Sequence, residues 1–240
     1  MSENIFIRIF QKGFNYSQDG PGNRLVYHLQ GCNFACKWCS NADTIPLDNP
    51  AAKNVTVEEI FDEIMRSRMM FFDGGGVTFT GGEATLQSQE LISLLKICKE
   101  NSINTCIETN ASLKELRDVA EYIDYLIVDI KHYDNALHKK WTGADLEGVK
   151  ENIEYFLEKG RQIHIRIPVI NGVNNNPEGF ADYFEKLNTS SAVFEFLAYH
   201  EFGKDKWKGK YQIENGFLPS ETIKNFTTVF ENRGLKCIKT

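Results

Sequence analysis

Three cysteines within eight residues, Cys32, Cys36 and Cys39, form the densest group of soft ligands in the chain. They stand in Gly31-Cys32-Asn33-Phe34-Ala35-Cys36-Lys37-Trp38-Cys39, directly after a stretch patterned as a strand, so a single loop carries all three. Thiolates are the ligands of iron–sulfur clusters, and this spacing lets one loop wrap three corners of a four-iron cube. Three ligands leave the fourth iron open, which a substrate-binding cluster requires and an electron carrier does not. A structural zinc site is the competing reading, but zinc takes four protein ligands, usually as two paired knuckles, and no second pair occurs in the chain. Cys98, on a helix face with leucines, Cys106, in a strand, and Cys237, near the C-terminus, read as small buried hydrophobes. Cys106 shares a strand face with Glu108 and is the less favoured candidate for an extra ligand.

A second concentration of chemistry is Gly75-Gly76-Val77-Thr78-Phe79-Thr80-Gly81-Gly82-Glu83-Ala84. Gly81 and Gly82 allow the backbone to approach a ligand closely, and Glu83 can receive a cationic amino group. Taken alone, Gly-Gly-Glu reads as an ordinary turn into the following helix. Elsewhere, charged residues interrupt apolar strands, which are expected to be apolar on both faces in a parallel sheet. Asp129 and Lys131 share one face of residues 125–131, opposite Leu126, Val128 and Ile130. His164 and Arg166 oppose three isoleucines in residues 163–167, and Glu108 lies near the end of the strand over residues 104–109. These charges on one face of successive strands predict a polar lumen, since burial without partner or ligand is costly. An Asp129–Lys131 or Asp129–Arg166 structural ion pair is the alternative. His164 reads as a satisfied interior residue, and His132 and His138 as solvated residues of a charged loop.

The elements that must position these groups alternate strand and helix. Strands are predicted over residues 25–30, 76–80, 104–109, 125–131, 162–169 and 193–200. Thr56-Val57-Glu58-Glu59 is a capping box opening a helix to about residue 69. Leu91, Leu94, Leu95 and Cys98 follow amphipathic spacing, and further helices are expected over 113–122, 145–159, 177–187 and 220–233, with Gly234 as a C-cap. Such a repeat argues for a parallel sheet with right-handed crossovers, as a barrel or an open doubly wound sheet. Either puts the active site at the C-terminal ends of the strands.

At 240 residues the chain fits one α/β domain, and no repeat or linker divides residues 1–240. The net charge of -6 disfavours nucleic acid. The first residues lack the features of a signal peptide, and no stretch suits a bilayer span, so a cytoplasmic protein with no membrane attachment is expected. In that reducing compartment close-spaced cysteines are more often metal or redox groups than crosslinks.

The cysteine loop, with Trp38 just before its last cysteine, strongly resembles the Cys-x3-Cys-x2-Cys motif of the radical S-adenosylmethionine (SAM) superfamily. The Gly-Gly-Glu segment matches that superfamily's SAM amino-binding segment. Over nearly the whole chain the resemblance narrows to activating enzymes of the pyruvate formate-lyase-activating type. It is carried by Asp19-Gly20-Pro21-Gly22-Asn23-Arg24, by residues 74–87, by Glu108-Thr109-Asn110, Asp129-Ile130-Lys131 and Ile165-Arg166, and by Tyr199-His200-Glu201-Phe202-Gly203-Lys204.

The resemblance implies an α/β fold, a partial (β/α)6 TIM-like barrel with parallel strands. It also implies one 4Fe-4S cluster on Cys32, Cys36 and Cys39, and reductive cleavage of SAM in an anaerobic setting. The resulting 5′-deoxyadenosyl radical would abstract a glycine α-hydrogen from a partner glycyl radical enzyme, with flavodoxin or ferredoxin as electron donor. By the same resemblance Trp38, Gly81, Gly82, Glu83, Asp129, Lys131, Arg166 and His200 bind SAM, Asp19 binds the partner peptide, and Glu108, Thr109 and Asp129 hold a monovalent cation. Gly82→Val is expected to weaken cofactor binding at unchanged iron content. Departures from the group are Ser40 for His, Glu108 for Asp and Ala111 for Gly. A radical enzyme for a small molecule and a non-enzymatic iron–sulfur or zinc protein are the alternative functions.

Overall fold

The computed structural model describes residues 4–238. Two compact units make up the fold: one runs to Asn33 and takes in Asp43–Thr109 and Leu113–Ile127, and the other comprises Phe34–Ala42, Asn110–Ser112 and the residues from Val128 onward. The architecture is α/β, with an eight-stranded, mostly parallel sheet in the order β3-β1-β2-β4-β5-β6-β7-β8, in agreement with the expected class.

In the first unit, β1 (Phe6–Tyr16) and β2 (Asn23–Leu29) form an antiparallel hairpin, and β3 (Lys53–Thr56) pairs antiparallel with the start of β1. The sheet then becomes parallel through β4 (Gly76–Gly81) and β5 (Thr105–Thr109). β6 (Tyr125–Asp129) begins in this unit and ends in the second. Helix α1 (Val57–Arg66) opens at the anticipated capping box: Glu59 N donates to Thr56 Oγ1 at 3.1 Å, and Thr56 N donates to Glu59 Oε2 at 2.9 Å. It closes earlier than expected, in a 3-10 turn at Arg68–Met70. Leu91, Leu94, Leu95 and Cys98 on α2 (Ser88–Glu100) are wholly buried, each leucine worth roughly 1.5–3 kcal/mol relative to exposure. α3 (Leu116–Val119) and a 3-10 turn at Ala120–Tyr122 take the place of one longer predicted helix.

The second unit holds β7 (Ile163–Val169) and β8 (Ala192–Ala198), which pair in parallel, and four helices: α4 (Asn135–Thr142), α5 (Glu147–Glu158), α6 (Pro177–Phe184) and α7 (Thr222–Asn232). An aromatic core joins β8 to the last two helices, with Phe184 4.7 Å from Phe194 and Phe196 4.8 Å from Phe230 between ring centroids. Gly234 takes the left-handed φ of 74° expected just past α7.

Helix α4 corrects the reading of His132 and His138 as solvated. Asp134 caps it by accepting from Leu137 N at 2.8 Å, and Gly143 closes it at a φ of 80°. His138 is wholly buried with Nδ1 2.8 Å from Ala144 O, and His132, with 2% exposure, bonds to Val173 O. Cys237, expected inside, is half-buried instead. Among the described residues no helix is long and apolar enough to cross a membrane.

Candidate active site

In the first unit the glycine segment of β4 seats against the start of the cysteine loop. Gly82 N donates to Leu29 O at 2.9 Å and Glu83 N to Gly31 O at 2.7 Å, while Cys32 N reaches Ile45 O at 3.1 Å. A Cβ on Gly82 would lie 2.0 Å from Gly31 O, so only glycine fits. Glu83 is wholly buried, and its Oε1 accepts from the hydroxyls of Thr85 at 2.5 Å and Thr109 at 2.7 Å. Its neighbour pair is Thr80 Oγ1 to Glu108 Oε2 at 3.1 Å. The register places Thr78 beside Cys106 and Thr80 beside His28, so the polar face includes Arg24, His28, Thr78 and Thr80, which patterning alone did not single out.

Asp19 and its glycines form the turn between β1 and β2. Arg24, wholly buried, fastens that turn: Nε donates to Thr78 Oγ1 at 2.7 Å, one terminal nitrogen to Val77 O at 2.8 Å, and the other to Asn104 Oδ1 at 2.9 Å and Pro21 O at 3.1 Å. Thr78 Oγ1 in turn donates to Asp19 O at 2.7 Å, and Asn15 Nδ2 bonds to the Asp19 carboxylate. One cation therefore sets the position of Asp19. Because Arg24→Met would strand several buried acceptors, each costing roughly 1–3 kcal/mol, a loss of about 3 kcal/mol or more is expected in urea unfolding.

In the second unit, the rest of the cysteine loop is clasped on two sides. Ala35 N donates to Thr142 O at 2.7 Å and Lys37 N to Trp141 O at 3.0 Å, tying the loop to the end of α4. On the other side Trp207 Nε1 donates to Cys39 O and Lys206 Nζ to Ser40 O, both at 3.0 Å. Gly203 lies against the same strip, where a Cβ would come within 2.3 Å of Ser40 Cα, giving that motif glycine a packing reason. Cys36 and Trp38 are buried, Cys32 and Cys39 half-buried, and none is in a disulfide. Among the described residues no three His, Cys, Asp or Glu side chains surround a single ion's position.

Asp129 and Lys131 form an ion pair of 2.9 Å through Asp129 Oδ2, while the buried Asp129 Oδ1 has no hydrogen-bond partner. Burial works against the Lys131 charge, but the adjacent Asp129 carboxylate outweighs it and raises the Lys131 pKa above the usual lysine range. Arg166 pairs with Glu195 rather than Asp129: its Nε donates to Glu195 Oε2 at 2.6 Å, and His164 Nε2 lies 3.0 Å from the same oxygen. Glu195 was not singled out by sequence reasoning. Burial pushes its carboxyl upward, but the His164 bond and the Arg166 charge outweigh this and hold it at about 2. A depressed carboxyl contributes stability above its ordinary 4.5 that is lost as pH falls through about 2. Glu195→Gln should cost about 3 kcal/mol near neutrality and flatten the apoprotein's denaturation free energy over that acid window. His200 is exposed and stacks on Phe202 at 4.4 Å, and burial of part of its ring lowers its pKa. Ala111 holds a φ of 57° where a glycine would be unstrained, at a cost of about 1 kcal/mol.

The radical SAM superfamily model matches residues 26–184. The chain belongs to that superfamily. Membership brings a 4Fe-4S cluster and SAM. The chain is 34% identical over 217 residues to the pyruvate formate-lyase-activating enzyme of Staphylococcus epidermidis, covering 85% of this chain and 86% of that one. A crystal structure of a domain of pyruvate-formate lyase-activating enzyme from Bacteroides vulgatus superposes with a TM-score of 0.58 at 28% identity, covering 69% of this chain and 98% of that one. A radical SAM methyltransferase from Sphaerobacter thermophilus shares the fold, with a TM-score of 0.66 at 16% identity over 97% of this chain and 72% of that one.

The residues of this radical SAM chain fit the implied groups. Three uncrosslinked thiols share one loop, the buried Asp129 Oδ1 has no hydrogen-bond partner, and Gly82 leaves no room for a side chain over Gly31.

Proposed function

We propose that this chain is an activating enzyme, a single radical SAM domain over residues 1–240 working in the cytoplasm on a glycyl radical enzyme of the pyruvate formate-lyase type. The observation that carries the reading is the close likeness, over most of both chains, to a relative named for activating pyruvate formate-lyase. When bound, the cluster and SAM supply a one-electron reductive cleavage and, from it, a carbon-centred radical able to take a glycine α-hydrogen.

The chain's own residues bind and orient. Cys32, Cys36 and Cys39 hold the cluster, and the clasp on Cys39 and Ser40 keeps its loop from shifting. Gly81 and Gly82 would admit SAM to the backbone, and Glu83 would take its amino group. Thr85 and Thr109 fix that carboxylate in advance, so little reorganisation is needed. Asp129, whose Oδ1 has no hydrogen-bond partner, would accept from a ribose hydroxyl, while Lys131 and Arg166 would meet the SAM carboxylate. Trp38 and His200 would flank the cofactor, and Asp19, held by Arg24, would meet the partner's glycine loop. A monovalent cation on Glu108, Thr109 and Asp129 belongs to the same reading.

Anaerobic reconstitution followed by reduction tests the proposal. It expects 5′-deoxyadenosine and methionine from SAM, and a glycyl radical signal on a co-expressed glycyl radical protein. Cleavage with every such partner silent would favour a small-molecule substrate.

A further inference from the structure

In the second unit, charged side chains on three neighbouring strands could pair in more than one way. Asp129 and Lys131 stand at the end of β6, His164 and Arg166 on β7, and Glu195 on β8. Lys131 takes Asp129 at 2.9 Å and Arg166 takes Glu195 at 2.6 Å. Arg166 is nonetheless close to the end of β6, since Ile130 N donates to its backbone O at 3.0 Å. Glu195 stands directly opposite Arg166 in the β7–β8 register, and His164 Nε2 lies 3.0 Å from the same Glu195 oxygen. Its strand neighbours Phe194 and Phe196 turn the other way, into the aromatic core. The Arg166 and Glu195 side chains keep only 6% and 15% of their surface exposed. A pair taken this far out of water is often no more stabilising than apolar residues of similar size, so stability alone gives no reason for a carboxylate at this position.

We propose that Glu195 is a positioning residue that aims the Arg166 guanidinium at the carboxylate of SAM. The inference rests on the functional reading above, in which Arg166 meets that carboxylate. A guanidinium is a rigid planar fork, so a carboxylate fixed on Nε also sets the direction of both terminal nitrogens. Without that anchor, Asp129 is the remaining carboxylate on these three strands and would draw the guanidinium away from the ligand. Donors already held in the bound geometry lose less freedom when an anion arrives and so bind it more tightly. Glu195 acts only through Arg166 and touches no part of SAM itself.

The test measures calorimetric SAM binding to the anaerobically reconstituted holoprotein, comparing Glu195→Gln, Arg166→Met and the double variant with the parent at equal iron content. Glu195→Gln should weaken SAM binding by about tenfold, and Arg166→Met by at least as much. The double variant should bind no more weakly than Arg166→Met, because a residue that acts only through another adds nothing once that one is gone. In dithionite-driven cleavage KM for SAM should rise with Glu195→Gln, while kcat at saturating SAM stays within about twofold of the parent. Parental affinity in Glu195→Gln would overturn the proposal, and so would an equal loss from that substitution in both backgrounds. Should Arg166→Met fail to fold, decarboxylated SAM is the second probe. Glu195→Gln should leave its affinity unchanged, and a loss as large as that for SAM would overturn the proposal. A parent that binds no SAM would overturn the functional reading itself, a separate and recognisable result.

Discussion

Cys36→Ala is expected to leave the chain without a stable cluster and without measurable SAM cleavage, while Cys98→Ala keeps both near parental levels. Cys36 is 6% exposed in the loop held by α4 on one side and by Lys206 and Trp207 on the other. On the proposed assignment its loss would leave two thiolates for a cluster whose motif supplies three. Cys98 is wholly buried on α2, where burial pushes its thiol up to about 12, so it is a poor thiolate donor. Losing its sulfur opens a small cavity at a cost of about 1 kcal/mol. Iron and sulfide per chain, with chromatographic assay of 5′-deoxyadenosine, separate the two variants.

Gly82→Ala should lower iron content and SAM cleavage together. The added Cβ would stand 2.0 Å from Gly31 O, 2.6 Å from Gly31 C and 2.9 Å from Thr44 O. All three atoms are backbone, so no flexible side chain can yield, and the strain passes to Gly31 and hence to Cys32. This revises the expectation that a substitution at Gly82 spares the iron. The glycine supports the cluster loop itself, and alanine is already too large. Gly13→Ala is the control, because a Cβ there meets nothing within 4 Å. Parental iron and cleavage in Gly82→Ala would show that the close approach is not required.

What could be read without the structure was local. The cysteine loop, the capping box at Thr56 and the polar face of β7 each lie within a few consecutive residues, and spacing alone exposes them. Glu195 was illegible because only the β7–β8 register, Arg166 opposite Glu195, tells which carboxylate the guanidinium meets. Arg24 was visible as part of a motif, but its role depends on Thr78 and Asn104, more than fifty residues away. Helix α4 escaped notice because its charged sequence, Asn-Ala-Leu-His-Lys-Lys-Trp-Thr, hides a buried face built from His138 and Thr142 rather than aliphatic residues. The β1–β2 hairpin was missed for a related reason. Most of β1 is exposed or half-buried, so it lacks the apolar run that marks the interior strands.

Electron paramagnetic resonance of the reduced, anaerobically reconstituted protein, recorded with and without SAM, is the most direct measurement. A single 4Fe-4S signal that changes shape when SAM is added is the predicted result, because on the proposed reading the iron left without a protein thiolate would take the cofactor. A signal indifferent to SAM, from a cluster with a protein side chain on every iron, would contradict it.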